Sequence, residues 1–365
     1  MTKPHVLIMA GGTGGHIFPA QAVASTLDAA GWQVSWLGTA DRMEAQLVPK
    51  FGWPFYSIEV RGLRGKSWRS VLSAPFMLAK ACWQARNIIR SLQPQLVLGF
   101  GGYASGPGGL AAWCAGTPLV IHEQNAVAGS TNRLLARLAT KVLVAFPQAF
   151  SGAKKQQLVG NPVRAELINC RAQALAMHQE QVPLKILVLG GSLGAKALNE
   201  QLPAQFARLA ENKAVAIRHQ TGAAMLQQVQ QSYRDCLPAD NEYEVSAFIE
   251  DMAAAYCWAD VVICRAGALT VSEVASAGVA AVFVPLPGAI DDHQTANANW
   301  LVSKGAARLV PQSALTYPGI VPMFSVWLDD RKELIQMAAA ARSLALDDAS
   351  EQVAAVCRQV TGLAV

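Results

Sequence analysis

Residues 6–15 read VLIMAGGTGG and residues 186–195 read ILVLGGSLGA. Each is a run of apolar residues that enters a glycine loop and then a helical pattern. Two copies of one strand–loop–helix device, 180 residues apart in a chain of 365, leave few architectures open. A strand with apolar residues at every position is buried on both faces, as in a parallel sheet covered by helices. Further runs of this kind lie at 33–38, 55–60, 95–99, 118–122 and 141–145, and then at 214–219, 243–247, 261–264 and 280–284. Helical patterns separate them, so each half reads as a doubly wound α/β domain. The break is expected near 160–183, where Gly160-Asn161-Pro162 and a polar run interrupt the pattern.

Composition removes several classes. A hydrophobic share of 52% with only 15% charged residues excludes extensive disorder. Mean hydropathy is +0.24, which raises the question of membrane spans. Two stretches carry no charge, 91–121 and 274–290, but both are broken by glycine and proline and read as buried strands with glycine loops. The apolar run at 5–10 is too short for a signal-peptide core, so export is not expected. Seven scattered cysteines without a CxxC pair give neither a zinc nor a disulfide signal and suit a reducing compartment.

Charge is unevenly divided. Residues 1–160 hold fifteen Lys and Arg against five Asp and Glu, whereas residues 161–365 hold fifteen against twenty. The stretch 61–90 carries Arg61, Arg64, Lys66, Arg69, Lys80, Arg86 and Arg90 with no acid. Anionic lipid and nucleic acid are both candidate partners for such a run.

Six motifs stand out, five at the ends of predicted strands and one at the break between the halves. Gly11-Gly12-Thr13-Gly14-Gly15-His16 is neither a Walker loop nor GxGxxG, yet its glycines let backbone N–H groups approach an anion at a helix N-terminus. Gly190-Gly191-Ser192-Leu193-Gly194-Ala195 repeats the device. His122-Glu123-Gln124-Asn125 places four hydrogen-bonding side chains at a strand end; of these, His122 and Glu123 are expected to satisfy loop backbone groups. Arg164, after Gly160-Asn161-Pro162-Val163, reads either as a phosphate partner or as part of a plain linker turn. Residues 265–273, RAGALTVSE, open a helix whose amides suit a diphosphate. There Glu273 either accepts ribose hydroxyls or complements the helix N-terminus. Asp291-Asp292-His293-Gln294 follows a Pro/Gly loop. Asp291 and His293 have no further clustered ligand, so no metal is expected.

Taken in order, GGTGGHIFPA, HEQNAVAGSTN, GNPVR, GGSLGA, CRAGALTVSE and DDHQTANAN resemble the MurG family, the undecaprenyl-diphospho-muramoylpentapeptide β-N-acetylglucosaminyltransferases. The resemblance runs from about residue 6 to 300. It implies a GT-B fold, with two Rossmann-like parallel-sheet domains facing a deep cleft. Residues 1–163 plus 341–365 would form the acceptor- and membrane-binding domain, and 164–340 the UDP-sugar-binding domain. It implies inverting transfer of N-acetylglucosamine from UDP-N-acetylglucosamine to a lipid-linked muramoyl-pentapeptide, lipid I to lipid II, with no metal and no cofactor. Carried over by motif, Thr13, Gly14 and Gly15 contact the donor and the acceptor diphosphate, and Asn125 lines the donor sugar. Arg164 and Ser192 approach the nucleotide diphosphate, and Ile249 packs at the uracil. Ala268, Leu269, Thr270, Val271, Ser272 and Glu273 cradle phosphate and ribose, and Gln294 reads the sugar. The loop PLPGAIDD at 285–292 falls where loop length varies within the family.

His16 is the expected general base, because imidazole titrates near neutral pH. A UDP-sugar epimerase of the same fold is the alternative. A nicotinamide oxidoreductase fits less well, since the strand 33–38 ends in Gly38-Thr39 with no acid to take a ribose hydroxyl. Nucleic acid is not expected, because the site motifs supply no aromatic stacking groove. In 68–90, Trp68, Leu72, Phe76, Ala79 and Trp83 recur at helical spacing with Arg69, Lys80, Arg86 and Arg90 beside them. That pattern predicts an interfacial segment binding an anionic membrane surface, which puts the chain peripherally at the cytoplasmic face of the bacterial inner membrane.

Overall fold

The computed structural model describes residues 3–61, 68–150, 155–168, 183–191, 194–211, 214–237 and 241–362, and the side chains of all of these except 68–73 and 290. Ser192 and the side chains of Trp68 and Leu72 therefore lie outside the described residues, as do Arg64, Lys66 and most of the polar run 169–183. The chain divides into two units, 1–163 with 346–365, and 164–345.

The first unit is built on seven strands: β1 (His5–Ala10), β2 (Gln33–Gly38), β3 (Phe55–Ser57), β4 (Leu96–Gly101), β5 (Leu119–Glu123), β6 (Lys141–Val144) and β7 (Gln156–Leu158). They pair in the order β3-β2-β1-β4-β5-β6-β7, all parallel. Every residue of β1, β4 and β5 is buried, so these strands are covered on both faces. One covering layer contains the helix Gly14–Ala29 and the C-terminal helix Ala349–Thr361, which pack together. The other contains the helices Trp68–Leu92 and Ser105–Cys114.

Part of the uncharged stretch 91–121 differs from its loop reading, since Ser105–Cys114 is a helix in spite of Gly106, Pro107, Gly108 and Gly109. Its glycines serve close packing: a Cβ on Gly108 would overlap Met9, and one on Gly109 would come 2.7 Å from Leu135. The run 55–60 is strand only over Phe55–Ser57, and β7 was not anticipated.

The second unit carries β8 (Leu184–Leu189), β9 (Val215–Gln220), β10 (Glu242–Ser246), β11 (Val261–Cys264), β12 (Ala280–Phe283) and β13 (Arg308–Leu309). Their order is β10-β9-β8-β11-β12-β13, again all parallel. One core surrounds Phe206, Tyr233, Phe324 and Trp327, all fully buried. The helix Lys332–Ser343 buries Leu334, Met337, Ala338 and Ala341 in this unit. Residues 341–345 thus stay with the second unit, and the chain returns to the first at Leu346. Cys257 is disulfide-bonded. Spacing gave no sign of it, because tertiary proximity and not sequence separation decides such a pairing.

Candidate active site

In an open parallel sheet, ligands bind beyond the carboxyl ends of the strands where the order reverses. In the first unit that point lies between β1 and β4, and in the second between β8 and β11. The glycine loop 11–15 follows β1, and the loops 190–195 and 265–267 follow β8 and β11. Three of the six predicted motifs therefore fall at a switch point, while those at 122–125, 160–164 and 291–294 follow β5, β7 and β12.

In the first unit, Gly12 has φ +88°, which a side chain would strain. Gly102 lies so close that a Cβ there would sit 2.6 Å from the Gly11 carbonyl oxygen. The helix Gly14–Ala29 starts with no side-chain cap and no acid in its first turn, so its N-terminal amides suit an anion. His16 stands in the first turn, half-buried. Its Nδ1 is 3.2 Å from the Gly11 carbonyl oxygen and 3.3 Å from Thr13 Oγ1. Thr13 and Gly15 are exposed.

The motif after β5 divides into structural and open positions. His122 is fully buried, its Nε2 is 2.8 Å from the Gly160 carbonyl oxygen, and burial pulls its pKa down to about 4. Glu123 accepts the Asn125 N–H at 3.0 Å, the Gly129 N–H at 3.1 Å and Asn132 Nδ2 at 2.8 Å. Both residues thus satisfy loop groups. Asn125 also donates its amide to Glu123, which orients it at the strand end. Gln124 is buried with neither side-chain amide atom paired among the described residues.

In the second unit, Gly191 and Gly194 have positive φ, and a Cβ on Gly194 would overlap the Thr221 carbonyl. Beside this loop is a cavity of about 480 Å³ lined by Gly190, Gly194, Lys196, Arg265, Leu286 and Gln312, among others. Arg265 is fixed by donating to the Val284 and Pro285 carbonyls at 3.0 and 3.3 Å and to Gln312 Oε1 at 2.7 Å. Lys196 and Gln312 were missed by the sequence reading: Lys196 directly follows the glycine motif and was passed over, whereas only strand order brings Gln312 to it.

The helix Ala268–Ala277 begins at Gly267 without a side-chain cap or an early acid, and buried Asn297 holds the preceding loop through the Ala266 carbonyl at 3.1 Å. Glu273 lies beyond the first turn, so it does not cap the helix. Its carboxyl is buried and accepts the Tyr256 hydroxyl at 3.2 Å. Burial pushes its pKa up to about 7, against the opposing pull of the Arg164 charge and the Tyr256 bond. Ile249 is half-buried beside exposed Phe248. Gln294 accepts the Leu286 N–H at 2.9 Å, which ties down the loop after β12. Among the described residues no group of three His, Cys, Asp or Glu side chains is placed to hold a metal.

Two Rossmann-like parallel sheets, each with a glycine loop at its switch point, make up the GT-B fold. Residues 6–144 match the glycosyltransferase family 28 N-terminal domain and residues 185–353 its C-terminal domain. A UDP-N-acetylglucosamine–N-acetylmuramyl-(pentapeptide) pyrophosphoryl-undecaprenol N-acetylglucosamine transferase from Aeromonas hydrophila subsp. hydrophila is 53% identical, over 97% of this chain and 96% of that protein. The crystal structure of Acinetobacter baumannii MurG matches with TM-score 0.87 at 46% identity, covering 98% of this chain and 99% of that one. The chain belongs to the MurG family. A UDP-GlcNAc 2-epimerase from Neisseria meningitidis shares the fold alone, at 13% identity and TM-score 0.66 over 98% of this chain and 100% of that one.

Proposed function

We propose that this chain transfers N-acetylglucosamine from UDP-N-acetylglucosamine to the C4 hydroxyl of the muramoyl-pentapeptide on undecaprenyl diphosphate, with inversion at the anomeric carbon. The observation that carries this reading is 53% identity, across nearly the whole of both chains, to a transferase of that name. The epimerase alternative has fold-level likeness only.

The second unit holds the donor. Amides at Ala268, Leu269 and Thr270 receive the diphosphate, with Val271 and Ser272 completing that helical turn, and Arg164 and Ser192 add donors. Ile249 packs at the base, Glu273 takes the ribose hydroxyls, and Gln294 with Asn125 reads the sugar. In the first unit Thr13, Gly14 and Gly15 contact the donor and take the acceptor diphosphate. His16 removes the proton from the acceptor hydroxyl as its oxygen attacks the anomeric carbon. UDP leaves with the bonding electron pair, and aligned amides stabilise the charge that develops on its terminal phosphate.

The acceptor's lipid stays in the bilayer, because each buried CH₂ is worth ~0.8 kcal/mol. The chain therefore works peripherally at the cytoplasmic face of the inner membrane, through residues 68–90. Supporting this, Phe76 is 81% and Trp83 64% exposed, with Arg86 and Arg90 on the same helix. Leu110 and Trp113 are exposed on the helix packed beside it. Among the described residues no helix is long and apolar enough to cross a membrane.

The decisive assay supplies labelled UDP-N-acetylglucosamine with and without a muramoyl-peptide diphospholipid. Label should enter lipid only when the acceptor is present. Acceptor-independent epimerisation or UDP release would sink the transferase reading. Glu273→Ala should weaken UDP binding by roughly 1.5–3 kcal/mol, as expected for loss of a charge-assisted contact.

A further inference from the structure

Glu44 is an acid with 1% exposure on the short helix Met43–Leu47, and no motif contains it. One carboxylate oxygen accepts the Gly12 N–H at 2.9 Å. The other accepts the Thr39 N–H at 3.1 Å and the Thr39 hydroxyl at 2.7 Å. The side chain reaches the loop because two strand ends carry glycine. A Cβ on Gly38 would lie 2.6 Å from its Cγ, and one on Gly11 would overlap the carboxylate.

The N–H that Glu44 holds and the C=O that His16 touches belong to one planar unit, the Gly11–Gly12 peptide. In a trans peptide these two groups point in opposite directions. The result is a chain of contacts: carboxylate, peptide N–H, peptide C=O, imidazole Nδ1. A carbonyl oxygen can only accept, so Nδ1 carries the hydrogen in this contact and the neutral ring keeps its lone pair on Nε2. A charge-assisted bond at the N–H end polarises the peptide and strengthens the bond at its C=O end.

We infer that Glu44 is a positioning residue that, through the Gly11–Gly12 peptide, sets the tautomer and ring angle of His16 so that Nε2 faces the acceptor hydroxyl. The inference rests on the reading of His16 as the base. It also explains why a carboxylate lies at a loop built for an anion. It occupies the Gly12 amide and leaves the amides of Gly14 and Gly15 to the acceptor diphosphate.

The experiment is a double-mutant cycle on Glu44→Gln and His16→Ala, with UDP-N-acetylglucosamine and a muramoyl-peptide diphospholipid as substrates. Glutamine keeps the shape but cannot accept at both ends. Alone, Glu44→Gln should lower kcat by about tenfold, part of the roughly 10²–10⁴ that a general base supplies, with KM for the donor nearly unchanged. In the His16→Ala background the same change should cost less than about twofold, because residues acting as one unit are not additive. The ¹⁵N signals of labelled His16 should report a hydrogen on Nδ1 in the native chain and a mixed population in Glu44→Gln. An equal loss in both backgrounds, or native kcat in Glu44→Gln, overturns the inference. Native turnover in His16→Ala instead removes the base reading, and the ¹⁵N arm then reports separately whether Glu44 sets the ring. Should Glu44→Gln not fold, Thr39→Val carries the cycle. It deletes only the hydroxyl bond to Glu44 and should show a smaller loss, of about threefold, with the same dependence on His16.

Discussion

The His16 ring has a floor, and that floor is a glycine. A Cβ on Gly101 would come 2.9 Å from His16 Cδ2 and 3.0 Å from Nε2, and Gly101 sits at φ +104°. Gly101→Ala must therefore push the ring or shift the end of β4. It should lower kcat by about tenfold or more, while UDP affinity, proposed to be set chiefly in the other unit, stays within about twofold. Turnover assays and calorimetric titration with UDP measure the two quantities; equal losses in both would contradict it. Glu273 supplies a pH test. Its carboxyl is held near pH 7, above the usual 4.5, because it is buried. The folded chain thus binds this proton more tightly than the unfolded chain. The associated stability is complete below about pH 4.5 and is lost as pH rises through about 7. Glu273→Gln should flatten the difference, about 3 kcal/mol in denaturant titrations between the two pH limits. If ribose hydroxyls donate to the carboxylate, UDP should bind the native chain more tightly as pH rises from about 6 to 8, and the glutamine variant should show no such trend.

At the scale of elements, the helix Trp68–Leu92 shows what periodicity can and cannot settle. Its spacing defines an apolar stripe, but an apolar stripe serves a sheet or a membrane equally well. The structure separates two faces. Ala81, Ala85 and Ile89 are buried against the sheet, while Phe76, Ala79 and Trp83 are exposed. Lys80 is 2.8 Å from Glu59, so an acid just before the basic run partly offsets it. Phe76→Ala with Trp83→Ala should leave stability within about 0.5 kcal/mol yet reduce co-sedimentation with anionic vesicles. Salt should weaken native binding as well. Ile89→Ala should instead cost about 2–5 kcal/mol of stability. Undiminished vesicle binding by the double variant would move the membrane site elsewhere. The two missed strands, Gln156–Leu158 and Arg308–Leu309, are short edge strands with too few residues to show a pattern.

On the whole-molecule scale, each unit closes its own core, with the first sheet packed on both faces and the second around Phe206 and Trp327. Separate cores allow separate unfolding transitions. UDP should raise only the transition of the second unit, by about 2.7 kcal/mol at a hundred times its Kd. Phe206→Ala should lower that same transition by about 3–5 kcal/mol. Scanning calorimetry of the native chain and the variant, with and without UDP, checks the pairing. A single transition that UDP and the variant shift as a whole would show that the units unfold together.

The strands, the paired glycine loops and the family follow from the sequence because each depends on neighbours along the chain. A strand buried on both faces is apolar throughout, and a loop that must take a positive φ or pass close to another backbone carries glycine. Gly108 and Gly109 mark the limit of that logic, since the same residue type there permits close helix packing and not a loop. What tertiary structure alone decided are the meetings between distant residues. Glu44 reaches Gly12 across 32 residues, and Arg265 reaches Gln312 across 47. Both contacts are made where parallel strands end side by side. Their partners are therefore chosen by strand order and register, for which no short stretch of sequence carries a signal.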